Sequence, residues 1–188
     1  MGKIDRKSIK VLWVSLVKFP PLCEHLGETI PAHCGWMYSS AKALLRVMPE
    51  VRLGVMVYSY GRSYERYEID GVTYYLIPTG RIDRTSKKQI ETCRRAIRDF
   101  APDLMHIHGT EHSLAKAACV ANENGTRMVA NIQGLAGPYM RYADGGLSLW
   151  NKWTNITPLD FYRGTFLLNA KRNFKHRAEC ENYVLTYI

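Results

Sequence analysis

The sequence is short of acid. Against 26 Lys and Arg it sets 17 Asp and Glu, leaving a formal charge of +9 and a pI near 9.4. Such an excess calls for a partner or a location that tolerates it: anionic membrane, phosphorylated ligand or nucleic acid. Long apolar runs are also missing. Nothing approaches the ~20 apolar residues that span a bilayer, and the opening MGKIDRKSIK is too polar for a secretory signal. Paired cysteines are absent as well. Cys23, Cys34, Cys93, Cys119 and Cys180 are odd in number and scattered, without a CxxC, which predicts reduced thiols and a cytoplasmic chain. No GxGxxG or GxxxxGK(S/T) stands in any loop, so the dinucleotide and P-loop readings lose their usual support. No GxSxG supplies a serine nucleophile elbow. Internal repeats and low-complexity tracts are not seen either.

What is present is organised around Pro102 to Gly134, which reads as one strand–helix–strand unit. Asp103 to Gly109 is a short apolar run ending in glycine, the pattern of a strand buried on both faces. His112 to Asn124 places Leu114, Ala117, Ala118 and Ala121 along one helical stripe, and Arg127 to Gln133 returns as a second apolar run. Parallel strands joined this way end on the same edge, where open sheets bind ligands. That edge carries His108, Gly109, Thr110 and Glu111 from the first strand end, with Gln133 and Gly134 from the second.

The 188 residues suit one well-buried domain. Ile9 to Val17 is a central strand. Lys18 to Gly35 follows as an unusually long loop, rich in Pro, Gly, His and Cys, which is a binding-loop pattern. Trp36 to Met48 is a helix stopped by Pro49, with Gly35 just before its first turn. Arg52 to Ser59 and Val72 to Pro78 are strands around a tyrosine-rich loop or hairpin. Ser86 and Gln89 form a capping box for the next helix, whose stripe is Ile90, Cys93, Ile97 and Phe100. After Gly134 the pattern is irregular to Asp160, with Trp150 and Trp153 in a polar setting. Phe161 to Glu181 reads as a helix with Leu167, Ala170, Phe174 and Ala178 inside and Arg163, Lys171, Arg172, Lys175 and Arg177 outside. Tyr183 to Ile188, YVLTYI, reads as a sixth strand, cut off at its start, which suggests a truncated reading frame. The expected fold class is α/β, a doubly wound parallel, Rossmann-like sheet of about six strands.

At these residues a resemblance enters. PDLMHIHGTEHSLA followed by ANIQGL, with GETIPAHCGWMYSSAKALL upstream, resembles the N-terminal half of a family 4 glycosyltransferase of the GT-B fold, of the bacterial type that builds cell-surface polysaccharide. The likeness covers nearly all of residues 1–188. It implies an acceptor-side Rossmann-like domain whose donor-binding C-terminal domain is a missing partner. It further implies transfer of a sugar from a nucleotide-sugar to a glycan or lipid-diphosphate acceptor, with retention, at the inner face of the membrane. The nucleotide-sugar would be a co-substrate of the full enzyme, and no cofactor is expected on this half. Two positions depart from the family: the usual paired glycine is Cys34-Gly35, and the usual histidine of the second strand end is Gln133, an amide that hydrogen-bonds sugars but does not exchange protons at neutral pH.

The candidate substrate-binding set is therefore Gly35, Trp36, His108, Gly109, Thr110, Glu111, Gln133 and Gly134, with no residue assigned to catalysis. Gly35 would let a diphosphate approach free N–H groups at a helix start, or would answer a demand of the local backbone. Glu111 would accept from a sugar hydroxyl, or would serve the helix dipole alone. His106 and His108, with His112, invite a metal, but a buried H-x-H lacks an evident third and fourth ligand, and none is expected. Glycoside hydrolysis would need two facing carboxylates, and only Glu111 stands at this edge. The rival classes are a nucleic-acid-binding domain stacking bases on Trp36, Trp150 and Trp153, although no specific nucleic-acid module is recognisable, and a non-catalytic remnant. The basic helix predicts salt-sensitive attachment to anionic lipid.

Overall fold

The computed structural model of the chain describes residues 8–80, 84–142, 145–163 and 167–188, with residues 152, 161, 163 and 167–173 described by backbone alone. Its centre is β1 (Ile9–Ser15), buried on both faces from Val11 onward. β2 (Val51–Tyr60) pairs with it in parallel on one side and β5 (Leu104–His108) on the other. β4 (Val72–Thr79) adds beyond β2, and β6 (Arg127–Asn131) adds beyond β5, both in parallel. β3 (Glu65–Ile69) forms an antiparallel hairpin with β4 and makes the far edge. The order is β3-β4-β2-β1-β5-β6, an α/β sheet compatible with a Rossmann-like fold. The direction of strand addition reverses at β1, so the crevice between the ends of β1 and β5 is where this architecture binds ligands.

Alternate residues of β1 face two separate cores. Val11 and Trp13 join Phe19 and Leu22 of the α1 region (Pro20–Leu26) and Met37 and Ala41 of α2 (Gly35–Val47). Leu12 and Val14 pack with α3 (Lys87–Phe100), α4 (Ser113–Ala121) and Val184 of α8 (Leu167–Leu185). Three short helices lie between β6 and α8: α5 (Ala136–Tyr142), α6 (Leu149–Thr154) and α7 (Pro158–Arg163). Among the described residues no helix is long and apolar enough to cross a membrane.

Three expectations change. The segment Tyr183 to Ile188 is not a strand: Tyr183 to Leu185 is the end of α8, and Thr186 and Tyr187 close it through backbone bonds to Tyr183 and Val184. Val184 is fully buried against the sheet while its neighbours Tyr183 and Leu185 are not, the single-sided burial of a helix. The sixth strand is β3, from the tyrosine-rich excursion, and it runs antiparallel. The long loop after β1 is shorter than expected, because α1 starts on Pro20 and Pro21, ends at left-handed Gly27, and is followed by a 3-10 turn at Ala32–Cys34 that runs into α2.

Gly54 shows how closely α3 approaches the sheet. A Cβ there would lie 2.9 Å from Leu12 Cδ1 and from two atoms of the Phe100 ring. Both neighbours sit in the packed core, so neither side chain has room to swing away. We expect Gly54→Ala to cost about 1–3 kcal/mol of stability through overpacking, read from the urea midpoint. An unchanged midpoint would show that α3 is free to slide.

Candidate functional site

β5 delivers the central residues. The rings of His106 and His108 stack 3.9 Å apart on one side of the strand, and Trp13 of β1 lies 4.4 Å from His108. Trp36, in the first turn of α2, reaches the same imidazole at 6.2 Å between centroids. The ends of β5 and β6 are joined by the Gly109 N–H, which donates to the Asn131 carbonyl at 3.1 Å. Thus the residues that follow β1, β5 and β6 share one edge, as the parallel pairing requires.

Burial dominates the electrostatics. His108 is 5% exposed, and burial together with the neighbouring His106 pushes its pKa from 6.5 down to about 3. Burial also lowers His106. Both imidazoles are neutral at neutral pH. Glu111 behaves differently: burial opposes its charge, but a 3.0 Å hydrogen bond from His112 Nε2, the charge of that ring and the charge of Arg177 together hold the carboxyl below its ordinary range. It stands ionised at the cleft.

Four consecutive side chains but for one glycine leave buried polar atoms without partners. These are both ring nitrogens of His108, Thr110 Oγ1, Glu111 Oε2 and His112 Nδ1. Native interiors satisfy almost all such atoms, so a run of them marks a place for water or ligand. Gly109 between them has φ +88, and a Cβ there would meet the His112 ring at 3.2 Å and Glu111 Oε2 at 3.4 Å. Only glycine makes this turn without strain.

Next to Glu111 opens a cleft of about 260 Å³, lined by Glu111, Gln133, Gly134, Ala136, Tyr139, Phe174 and Arg177. Tyr139 and Phe174 lie near-parallel at 6.1 Å, and the Arg177 guanidinium lies 5.9 Å from the Phe174 ring. The wall is fixed by Glu181, whose buried carboxylate accepts from the Ala136 N–H at 2.7 Å and the Gly137 N–H at 3.3 Å. Larger hollows of about 480 Å³ on the outer side of α2 and 390 Å³ at the opposite sheet edge contain none of the unpartnered buried atoms.

The candidate residues thus fall into two neighbouring groups. Glu111, Gln133 and Gly134 line the cleft, whereas Trp36 is brought to His108 on the Trp13 side, with Gly35 beside it; Gly109 and Thr110 link the two. Gly35 has ordinary helical angles, φ −58 and ψ −44, and a Cβ there would meet open space. Neither backbone nor packing demands this glycine. The 3-10 turn before it leads straight into α2, so the helix start is less open than a bare N-terminus. Among the described residues no group of three or more His, Cys, Asp and Glu is arranged to hold a metal ion. All five thiols are buried, and burial raises those of Cys23, Cys93 and Cys119, the last to about 12, which opposes a thiolate nucleophile.

Sequence reading missed the far wall. It assigned Arg177 to a solvated basic face and Phe174 to a buried stripe, and it gave Tyr139 no role. Phe174, Arg177 and Glu181 recur at helical spacing, a signal that one face of α8 is polar and inward. Of the cations expected outside this helix, the side chains of Arg163, Lys171 and Arg172 lie outside the described residues, as do those of Leu167 and Ala170; Lys175 is exposed.

The depressed His108 value sets a pH dependence. The unfolded chain takes up a proton near pH 6.5 and the folded chain only near 3, so stability falls as the pH drops through that window. Glu111 contributes in the same direction but lower, losing its share as the pH falls below its ordinary 4.5. We expect His108→Gln to flatten the decline between pH 6.5 and 4.5, and Glu111→Gln to act only below that, in urea titrations across pH. A slope untouched by His108→Gln would show that this imidazole is solvated. Gly35→Ala should raise stability by ~0.4–1 kcal/mol, since the native angles suit alanine. The chain matches no model of a known protein family, and no curated protein matches it at a significant level.

Proposed function

We propose that the chain is the acceptor-side half of a GT-B glycosyltransferase resembling family 4, doubly wound and Rossmann-like, acting with a donor-binding C-terminal domain. The observation that carries the reading is the run of unpartnered buried polar atoms from His108 to His112 beside the Glu111 cleft. A hydroxyl-rich ligand in the cleft supplies the missing partner of Glu111 Oε2, the one of these atoms whose residue lines it. Glu111 accepts from hydroxyls, Gln133 both donates and accepts, and Arg177 donates. Tyr139 and Phe174 offer an aromatic surface to the C–H face of a pyranose.

The chemistry of this edge is positioning. His108, with its depressed pKa, is a poor base, and Glu181 is engaged by two amides. Among the described residues that line the cleft, Glu111 is the one carboxylate, which argues against paired-acid hydrolysis. Holding an acceptor hydroxyl on the face of the donor sugar from which the phosphate departs lets that phosphate, stabilised by the other domain, take the hydroxyl proton as the new glycosidic bond forms, so no protein base is needed on this half. The nucleotide-sugar meets one wall of a two-walled site here.

Two measurements test the proposal. Saturation-transfer NMR should detect simple pyranosides on the folded chain at millimolar concentration, with the signal lost in Glu111→Gln and reduced in Tyr139→Ala. Calorimetry with uridine- and guanosine-diphosphate sugars should show only millimolar binding, because losing ~4 kcal/mol of donor contacts weakens a micromolar site about a thousandfold. Micromolar donor binding would move the donor site into this half. Pyranoside signals indifferent to Glu111 would remove the acceptor assignment.

A further inference from the structure

The stretch from Gly145 to Tyr162 is ordered locally yet buries nothing. Among its described side chains none is buried, and only Ile156 and Asp160 are half-buried. Its helices are held by their own caps. Ser148 Oγ accepts from the Asn151 N–H at 3.2 Å, and Thr157 and Asp160 cap each other reciprocally at 3.1 and 3.2 Å. The apolar side chains point outward: Leu149 is 69% exposed, Trp150 76%, Trp153 65% and Tyr162 89%. In α6, Leu149 and Trp153 are four apart and Trp150 and Trp153 three apart, so all three share one side of a single turn. Six-residue helices are marginal in water without a surface to cover their apolar side. Large exposed aromatic patches of this kind mark interaction sites.

Charge selects the occupant. Between Gly134 and Arg177 the sequence has seven Lys and Arg against two acids, more than half of the whole chain's excess of +9. Arg141 and Lys175, the described cations on either side of the patch, are exposed. Tryptophan and tyrosine amid cations suit the headgroup region of a bilayer, where the rings sit at the apolar boundary and Lys and Arg meet lipid phosphate. A protein groove would cover the rings but gives no reason for the excess of charge.

We propose that the segment Leu147–Tyr162 is an interfacial anchor for membranes rich in anionic phospholipid, with Leu149, Trp150 and Trp153 inserted at the headgroup boundary. This goes beyond the sugar-transfer reading and stands independently of it, since the anchor lies outside the cleft lining. Attachment by this route is part hydrophobic, so it keeps a salt-resistant component that a purely basic helix lacks.

The test uses the 188-residue chain and vesicles of phosphatidylcholine alone or with about a third phosphatidylglycerol, by flotation and by tryptophan quenching with brominated acyl chains. Binding to the mixed vesicles should exceed that to neutral ones by about tenfold or more. Bromine quenching should appear on binding and vanish in the double variant Trp150→Ser, Trp153→Ser, which should bind about tenfold more weakly at an unchanged urea midpoint. Equal retention on both vesicle types would overturn the proposal, as would anionic binding without quenching. Lipid-free dimerisation abolished by the same double variant would assign the patch to a second copy of the chain instead. Tighter binding to a single-stranded oligonucleotide than to the mixed vesicles would assign it to nucleic acid.

Discussion

The parallel pairing of β1 with β5 is the constraint on which the functional edge depends. Val11 to Val14 align with Leu104 to Ile107, residues more than ninety positions apart. Because side chains alternate along each strand, this register sets Trp13 against His106 and His108 and leaves Leu12 and Val14 to the opposite core. A slip by one residue would turn the two imidazoles into the α3–α4 core and bring Met105 and Ile107 out to Trp36. The same register decides where Gly109 emerges, and so where Glu111 is presented.

Burial then converts placement into chemistry. The two histidines sit among aromatic rings with no acid within their own group, and their neutral form is the one the site can hold. Glu111 sits three residues beyond a strand end, with His112 and Arg177 near it, and its ionised form is favoured. A short chain segment thus carries neutral donors and acceptors at one end and a fixed negative charge at the other.

The parts legible in the sequence were those with strong local pattern. The Asp103–Gly109 and Arg127–Gln133 runs and the Ser86 capping box gave β5, β6 and the start of α3, and Ser86 Oγ does accept from the Gln89 N–H at 3.1 Å. The failures have physical reasons. YVLTYI is five apolar or aromatic residues and one threonine, too short for periodicity to separate a strand from the last turn of a helix, and the preceding helix runs on into it as far as Leu185. The Pro-Pro start and Gly27 end of α1 were helix signals, but seven residues fall below any window that averages amphipathicity. The tyrosine-rich segment, left open between loop and hairpin, is a hairpin, and its signal is the Asp70-Gly71 turn with alternating Glu65 to Ile69 before it. The spacing of Phe174, Arg177 and Glu181 hinted at an inward polar face, but what that face meets was not legible, because Arg177 and Glu181 reach Glu111 and Ala136 only through tertiary docking of α8.

Glu181 ties that wall into a single piece. Its carboxylate clasps the first two amides of α5, so Tyr139 on α5 and Phe174 and Arg177 on α8 travel together rather than as separate side chains. The far wall of the cleft is thus one helix pair seated on α4. The width of this opening is therefore set by how a helix pair is seated, well away from the side chains that line it.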